Sequence, residues 1–303
     1  VSEPLLDSAF LARLERVALR SRRRADGLRS GGHASRRRGQ SLEFVDHREY
    51  VPGDDLRHLD WQLLARLDRL FVKLFEARQD RTVDVLVDAS ASMAGAKAIA
   101  ARKSAAALAF ASLCGLDRVR VFATTDAARP EGQAHRGRRA VHRLLSFLGG
   151  LPDAGPTDLA SVVRSLPAPR GGSMTVLVTD LWNPAGFEEA FARLAHRGGE
   201  AHVLHVVDPR ELDPRHLQGD LTLVDSETGA ELNVTVDRPT REAYADAADQ
   251  WLEEAQAVAR RRGVGYVRLE VGDDLEDRLI AWLLQAERAV GGGSARPVRD
   301  ARP

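Results

Sequence analysis

An α/β fold with a mainly parallel sheet and helices on both faces is what this sequence predicts, from three observations. TVDVLVD (82–88), MTVLVTD (174–180) and AHVLHVVD (201–208) are short, β-branched and apolar almost throughout, as strands covered on both sides are. Stretches with apolar residues at helical spacing lie between them, so strand and helix alternate. Carboxylates and hydroxyls follow the apolar strands directly, at the edge of an open sheet where ligands bind.

Taken in order, residues 4–20 (PLLDSAFLARLERVALR) carry apolar side chains at helical spacing and predict a helix. The run from Arg20 to Arg38 has eight Arg against one Asp and lacks Phe, Tyr and Trp. It reads as a solvated linker, with anion or RNA contact as the alternative, and without aromatic platforms for bases. Residues 40–60 hold six acidic and two basic residues and are turn-rich around Pro52-Gly53-Asp54-Asp55. The expected role is a structural clasp: Asp55 and Asp60 pair with Arg57 and Arg66, while Tyr50, Trp61 and Phe71 fill a small core against the sheet. A partner-docking surface is the functional alternative.

The alternation then runs from strand 82–88 to a helix over 96–113, strand 118–125 and a helix over 137–148. The loop GGLPDAGPTD opens a short helix at 158–166. After strand 174–180 come a helix over 184–197 and strand 201–208. LTLVDSETGAELNVTV (221–236) breaks the rhythm and predicts a β-hairpin at or beside the sheet's edge. A helix over 240–262, strand 265–271 and a helix over 274–288 complete the domain. The expected organisation is an N-terminal helix and Arg-rich linker (1–38), a segment packing on the main domain (39–80), the α/β domain (81–290) and a disordered tail (291–303).

With 303 residues, 44% apolar and 29% charged, the chain is long enough for a sizeable core. Lys plus Arg and Asp plus Glu both number 44, so no global field favours nucleic acid or a membrane surface. The single cysteine, Cys114, excludes a disulfide framework and fits a reducing cytosol. No apolar run approaches the roughly 18–20 residues that span a bilayer, so a cytoplasmic location without membrane insertion is expected.

Asp88-Ala-Ser90-Ala-Ser92 leaves the first buried strand, and in extended chain positions i, i+2 and i+4 point the same way. Thr157, in Gly155-Pro156-Thr157-Asp158, and Asp180, ending VLVTD, fall at the same edge. All five donors are hard oxygens, which suits Mg²⁺ or a similar cation and not zinc. Such an ion would keep a water or an open position that a carboxylate of another protein could take. Singly, each has a plainer reading: Ser92 and Thr157 as helix N-caps, Asp180 as a turn residue.

Together, Asp88-Ser90-Ser92, Thr157-Asp158 and Thr179-Asp180 resemble the metal-ion-dependent adhesion site (MIDAS) of von Willebrand factor A domains. Upstream stand Gly39-Gln-Ser-Leu-Glu43-Phe44, Arg48-Glu49-Tyr50-Val-Pro52-Gly53-Asp54-Asp55-Leu-Arg57, Asp60-Trp61 and Ala65-Arg66. With Asp225-Ser-Glu227-Thr-Gly229, they resemble the bacterial domain-of-unknown-function 58 family, which is von Willebrand factor A-like and associated with MoxR-type AAA+ ATPases. The resemblance spans residues 5–288. It implies Ser90, Ser92 and Thr157 as direct or near-direct metal ligands, and Asp88 and Asp180 as ligands through water. It also implies a binding role in complex assembly beside a MoxR-type ATPase. Two positions depart from the pattern: Glu76 lacks a second acid beside it, and Asp180 is followed by Leu181 instead of Gly.

No G-x-x-x-x-G-K-[ST] and no G-x-S-x-G occurs, so neither a phosphate-binding loop nor a nucleophile elbow is encoded. His202 and His205 face opposite sides of their strand and do not share a metal. The sequence therefore predicts a non-enzymatic, Mg²⁺-dependent protein-binding module acting with a MoxR-type AAA+ ATPase. The rivals are a metal-dependent phosphohydrolase or nuclease, and a scaffold with a degenerate site.

Overall fold

The structure is a computed structural model; it describes residues 4–28, 42–77, 81–115, 117–124, 128–130, 134–169, 173–183 and 186–291. In chain order the elements begin with α1 (Ser8–Leu28), β1 (Leu42–Glu49), α2 (Trp61–Leu67), β2 (Phe71–Ala77), β3 (Thr82–Asp88) and α3 (Ala96–Cys114). There follow β4 (Arg118–Thr124), β5 (Ala128–Pro130), α4 (Val141–Gly149), α5 (Leu159–Ser165), β6 (Met174–Thr179), α6 (Glu188–His196) and β7 (Glu200–Val207). The last are α7 (Pro209–Leu212), β8 (Gly219–Val224), β9 (Glu231–Val236), α8 (Arg238–Arg262), β10 (Gly265–Glu270) and α9 (Leu275–Gly291).

The described residues form two compact units, one of 4–28 with 81–291 and one within 42–77. In the larger, six strands are ordered β10-β7-β6-β3-β4-β5. Five are parallel, and only the edge strand β5 is antiparallel, to β4. Every residue of β3 is buried, because strands and helices cover it on all sides. Its alternating side chains feed two cores. Val83, Val85 and Val87 join Phe10, Leu14, Leu108, Leu148 and Trp282 on one face. Leu86 joins Leu159, Val162, Leu177, Phe191 and Val258 on the other. Helix α3 is buried nearly all round, and its alanines let it lie close to the sheet and to α1, α4 and α9.

Asp84 interrupts the apolar pattern of β3 and is fully buried. Its cross-strand partner Arg120 donates from Nε at 2.6 Å and from NH2 at 2.7 Å. Arg197, after α6, stands 3.7 Å from the same carboxylate and donates to Pro167 O at 2.8 Å. One buried acid thus ties the sheet to the α5–α6 layer.

The predicted hairpin forms as β8 and β9, paired to each other and to no strand of the main sheet. The predicted Arg-rich linker is corrected in part: α1 continues to Leu28, since arginine is a good helix former. The rest of that run lies outside the described residues, as does the expected tail beyond Gly291.

In the smaller unit β1 and β2 pair antiparallel, with α2 between them. Asp60 caps α2 through Gln62 N (2.9 Å) and Leu63 N (3.2 Å), and its other oxygen meets His47 Nε2 at 2.8 Å and Lys73 at 3.3 Å. The hydrogen bond from His47 holds this carboxyl down at about 2. The expected clasp is corrected in two places. Asp60 pairs with His47 and Lys73 rather than with the arginines, and Trp61, at 67% exposure, fills no core within this unit. Asp55 does pair with Arg57, at 2.7 Å.

Asp84→Ala strands two arginines at the sheet, and urea denaturation is expected to show a loss of about 3–5 kcal/mol.

Candidate metal centre

Parallel strands deliver their carboxyl ends to one edge, and the loops there bring the predicted residues together. Ala89 N donates to Thr124 O at 3.0 Å, Ala154 N to Ala89 O at 3.1 Å, and Ala91 N to Gly155 O at 2.9 Å. The first ties the turn after β3 to the end of β4, and the other two stitch it to the loop before α5, which carries Thr157. The small alanines permit that approach. Gly155 supplies a φ of +83°, and Asp158, not Thr157, caps α5. Ser92 likewise caps nothing; Gly95 occupies the N-cap of α3.

Asp88, Ser90, Thr157 and Asp180 are all buried. Asp88 accepts from Ser90 N at 3.1 Å and from Thr179 Oγ1 at 2.6 Å. The Ser90 and Ser92 hydroxyls are 3.0 Å apart, and Ser92 Oγ stands 3.4 Å from Asp180 Oδ1. Burial first, and the neighbouring Asp180 second, push the Asp88 carboxyl up to about 7. Thr124 Oγ1, at the end of β4, is buried without a hydrogen-bond partner.

Several residues of the edge escaped the sequence analysis. Lys97, at the start of α3, is 2% exposed and donates to Asp180 Oδ2 at 2.8 Å. Its ammonium also meets Glu211, on α7, at 2.7 Å. Burial alone would lower the Lys97 pKa, but Asp180 and Glu211 together raise it. A lysine in the first turn of an alanine-rich helix, in a chain with three lysines, was the available signal.

His205 is fully buried on β7. Nε2–H donates to Asp180 O at 3.0 Å, and Nδ1 accepts from Tyr266 OH at 2.6 Å, the pattern of a neutral ring. Burial pushes it down to about 3. As expected, it and His202 face opposite sides of the strand: His205 meets Trp251 and Tyr266, whereas His202 meets Trp282.

Leu181 takes φ +61°, the conformation for which glycine is usual, at a cost of order 1–3 kcal/mol. Its side chain is 1% exposed in the core with Leu177 and Phe187, which offsets that strain. The turn lets Trp182 N donate to Asp180 Oδ1 at 3.1 Å, and the Trp182 ring stacks on Trp251 at 4.4 Å.

The turn between β8 and β9 reaches the same edge. There the Glu227 carboxylate lies beside the Ser92 side chain and the Thr157 backbone, and burial raises its pKa. Among the described residues, no group of three or more His, Cys, Asp or Glu side chains is placed to hold a metal. Any ion here would depend on hydroxyl oxygens as much as on carboxylates.

A mainly parallel sheet wound in this order, with Asp88, Ser90 and Ser92 leaving its central strand, defines a von Willebrand factor A-like domain. The chain belongs to the family described as "Protein of unknown function DUF58", whose family model matches residues 46–254. It is 28% identical over 293 residues to Uncharacterized protein Rv1480 of Mycobacterium tuberculosis, covering 94% of this chain and 90% of that protein. A shorter uncharacterized protein of Mycobacterium avium is 27% identical over 165 residues, 53% of this chain and 96% of its own length. Among solved structures, the chain is similar to the conserved hypothetical protein BatB of Bacteroides thetaiotaomicron (TM-score 0.44, 15% identity, 71% of this chain and 100% of that one). It is also similar to a von Willebrand factor type A protein of Catenulispora acidiphila (TM-score 0.39, 15% identity, 72% and 45%).

The two displaced pKa values give opposite pH slopes. Asp88, raised from 3.8 to about 7, costs the fold stability as pH rises through that window. His205, lowered from 6.5 to about 3, costs stability as pH falls through its own. Asp88→Asn removes only the first contribution. Its stability relative to wild type, from denaturant titrations without added metal, is expected to climb from pH 4 to 7 and then level off.

Proposed function

We propose that this chain is a non-enzymatic protein-binding module whose sheet edge holds Mg²⁺ or a similar hard cation. Ser90, Ser92 and Thr157 would hold the ion, with Asp88 and Asp180 engaging it through water. A carboxylate from a client protein would complete the shell. The observation that carries this reading is an oxygen-only donor set, buried except for the half-buried Ser92, in which Lys97 neutralises Asp180 while Asp88 is left with uncharged partners. The residues fit such an ion chemically: the donors are hard oxygens, and a divalent charge would relieve the repulsion between Asp88 and Asp180. Bound there, the ion would supply a positive centre able to take one more carboxylate.

A MoxR-type AAA+ ATPase is the proposed working partner, in the assembly, maturation or regulation of a protein complex. The ground for this partnership is the sequence resemblance described above, which implies an association with such ATPases. The proposed setting is the cytoplasm; among the described residues no helix is long and apolar enough to cross a membrane. The binding role is favoured over hydrolysis because Asp180 already accepts from Lys97 and Trp182 N, so its oxygens are engaged by donors of the protein itself.

Mg²⁺ at about 100 times its Kd is expected to add about 2.7 kcal/mol to stability, visible as a higher Tm. Asp88→Ala should abolish the response, and an undiminished shift in that variant refutes the site. Affinity purification from the native cell should recover an AAA+ ATPase in Mg²⁺ and lose it in EDTA; recovery of none in either buffer contradicts the partnership.

A further inference from the structure

The position that a client carboxylate would take has a candidate occupant within the chain itself. Glu227 sits at the tip of the β8–β9 hairpin, in a turn whose geometry is tightly specified. Asp225 accepts from Glu227 N and Thr228 N, both at 2.8 Å. Asp225 N donates to Ala230 O at 2.8 Å, and Gly229, at φ +72°, donates to Asp225 O at 2.9 Å. This turn places the Glu227 carboxylate beside the side chain of Ser92, a proposed ligand, and the backbone of Thr157, and Glu227 and Ser92 line one cavity. Both carboxylate oxygens are closed off from solvent, yet neither completes a well-formed hydrogen bond. A buried carboxylate normally has such partners, and one held without them beside the hydroxyl of a proposed ligand is arranged for a cation.

The hairpin's other contacts are slight. Val224 and Leu232 are 61% and 63% exposed, and Val236 is the one residue of the two strands that is buried. A two-stranded ribbon has little stability of its own, so contact at the tip decides where it rests. Beneath it lies a cavity of about 670 Å³, lined by Ser92, Lys97, Trp182, Glu211, Glu227 and Tyr244.

We propose that Glu227 is an intramolecular ligand of the metal edge, and that the hairpin closes the site until a client carboxylate displaces it. This rests on the cation reading above and adds its regulation: the module is self-capped, and binding is a competition between carboxylates.

The test is hydrogen–deuterium exchange of residues 219–236 in the full chain, with Mg²⁺ and with EDTA, for wild type, Glu227→Gln and Glu227→Ala. In wild type, Mg²⁺ is expected to slow exchange at the hairpin tip about tenfold, the scale of one charge-assisted contact. Both variants lose that slowing while their core amides exchange as in wild type. Added acetate then raises the Tm of Glu227→Ala in Mg²⁺ but leaves wild type unmoved, because only the variant offers the position. Equal slowing in wild type and variants overturns the assignment of Glu227 alone. No effect of Mg²⁺ on wild-type Tm overturns the cation reading, and this inference with it.

Discussion

Two carboxylates, Asp88 and Asp180, are buried close together where a parallel sheet ends, and their charge constrains everything around them. Asp180 is balanced by Lys97, 2.8 Å away, and by the backbone amide of Trp182. Asp88 has uncharged partners, the Ser90 amide and the Thr179 hydroxyl among them, and its burial beside Asp180 leaves the carboxyl reluctant to ionise. Burying a charge is tolerable when it is paired, and costly when it is not. The edge therefore combines a finished ion pair with an unfinished one.

The rest of the fold holds that arrangement rigid. Asp88 and Asp180 issue from adjacent strands whose register is set by side chains buried on both faces. Leu181 accepts a strained backbone because its side chain is anchored in the core. His205 fastens the carbonyl of Asp180 from β7, and Tyr266 on β10 orients that ring. Neighbouring strands thus position one carboxylate through a chain of hydrogen bonds. The hairpin contrasts with them, being largely exposed and joined to this edge by its tip.

Much of this was legible in the chain alone. Apolar β-branched runs separated by helical spacing specify a parallel sheet, since no other arrangement hides strands without a polar face. The order of Asp88, Ser90, Ser92, Thr157 and Asp180 follows from local rules, because each stands at a strand end or in the loop beside one. The structure brings all five to one edge. Trp61 was misjudged: a large aromatic in a short segment suggests a core, but the unit is too small to enclose it.

What the sequence by itself determined was therefore the sheet, its polar edge and the kind of donor gathered there, because periodicity and strand ends are local properties. Tertiary structure alone decided how the charges at that edge are balanced. Lys97 reaches Asp180 across 83 residues of chain, and His205 reaches it from another strand. Glu227 arrives on a hairpin whose own pairing says nothing of where its tip will rest. Electrostatic partners are chosen by distance in space, and long-range neighbours leave no period in the sequence to reveal them.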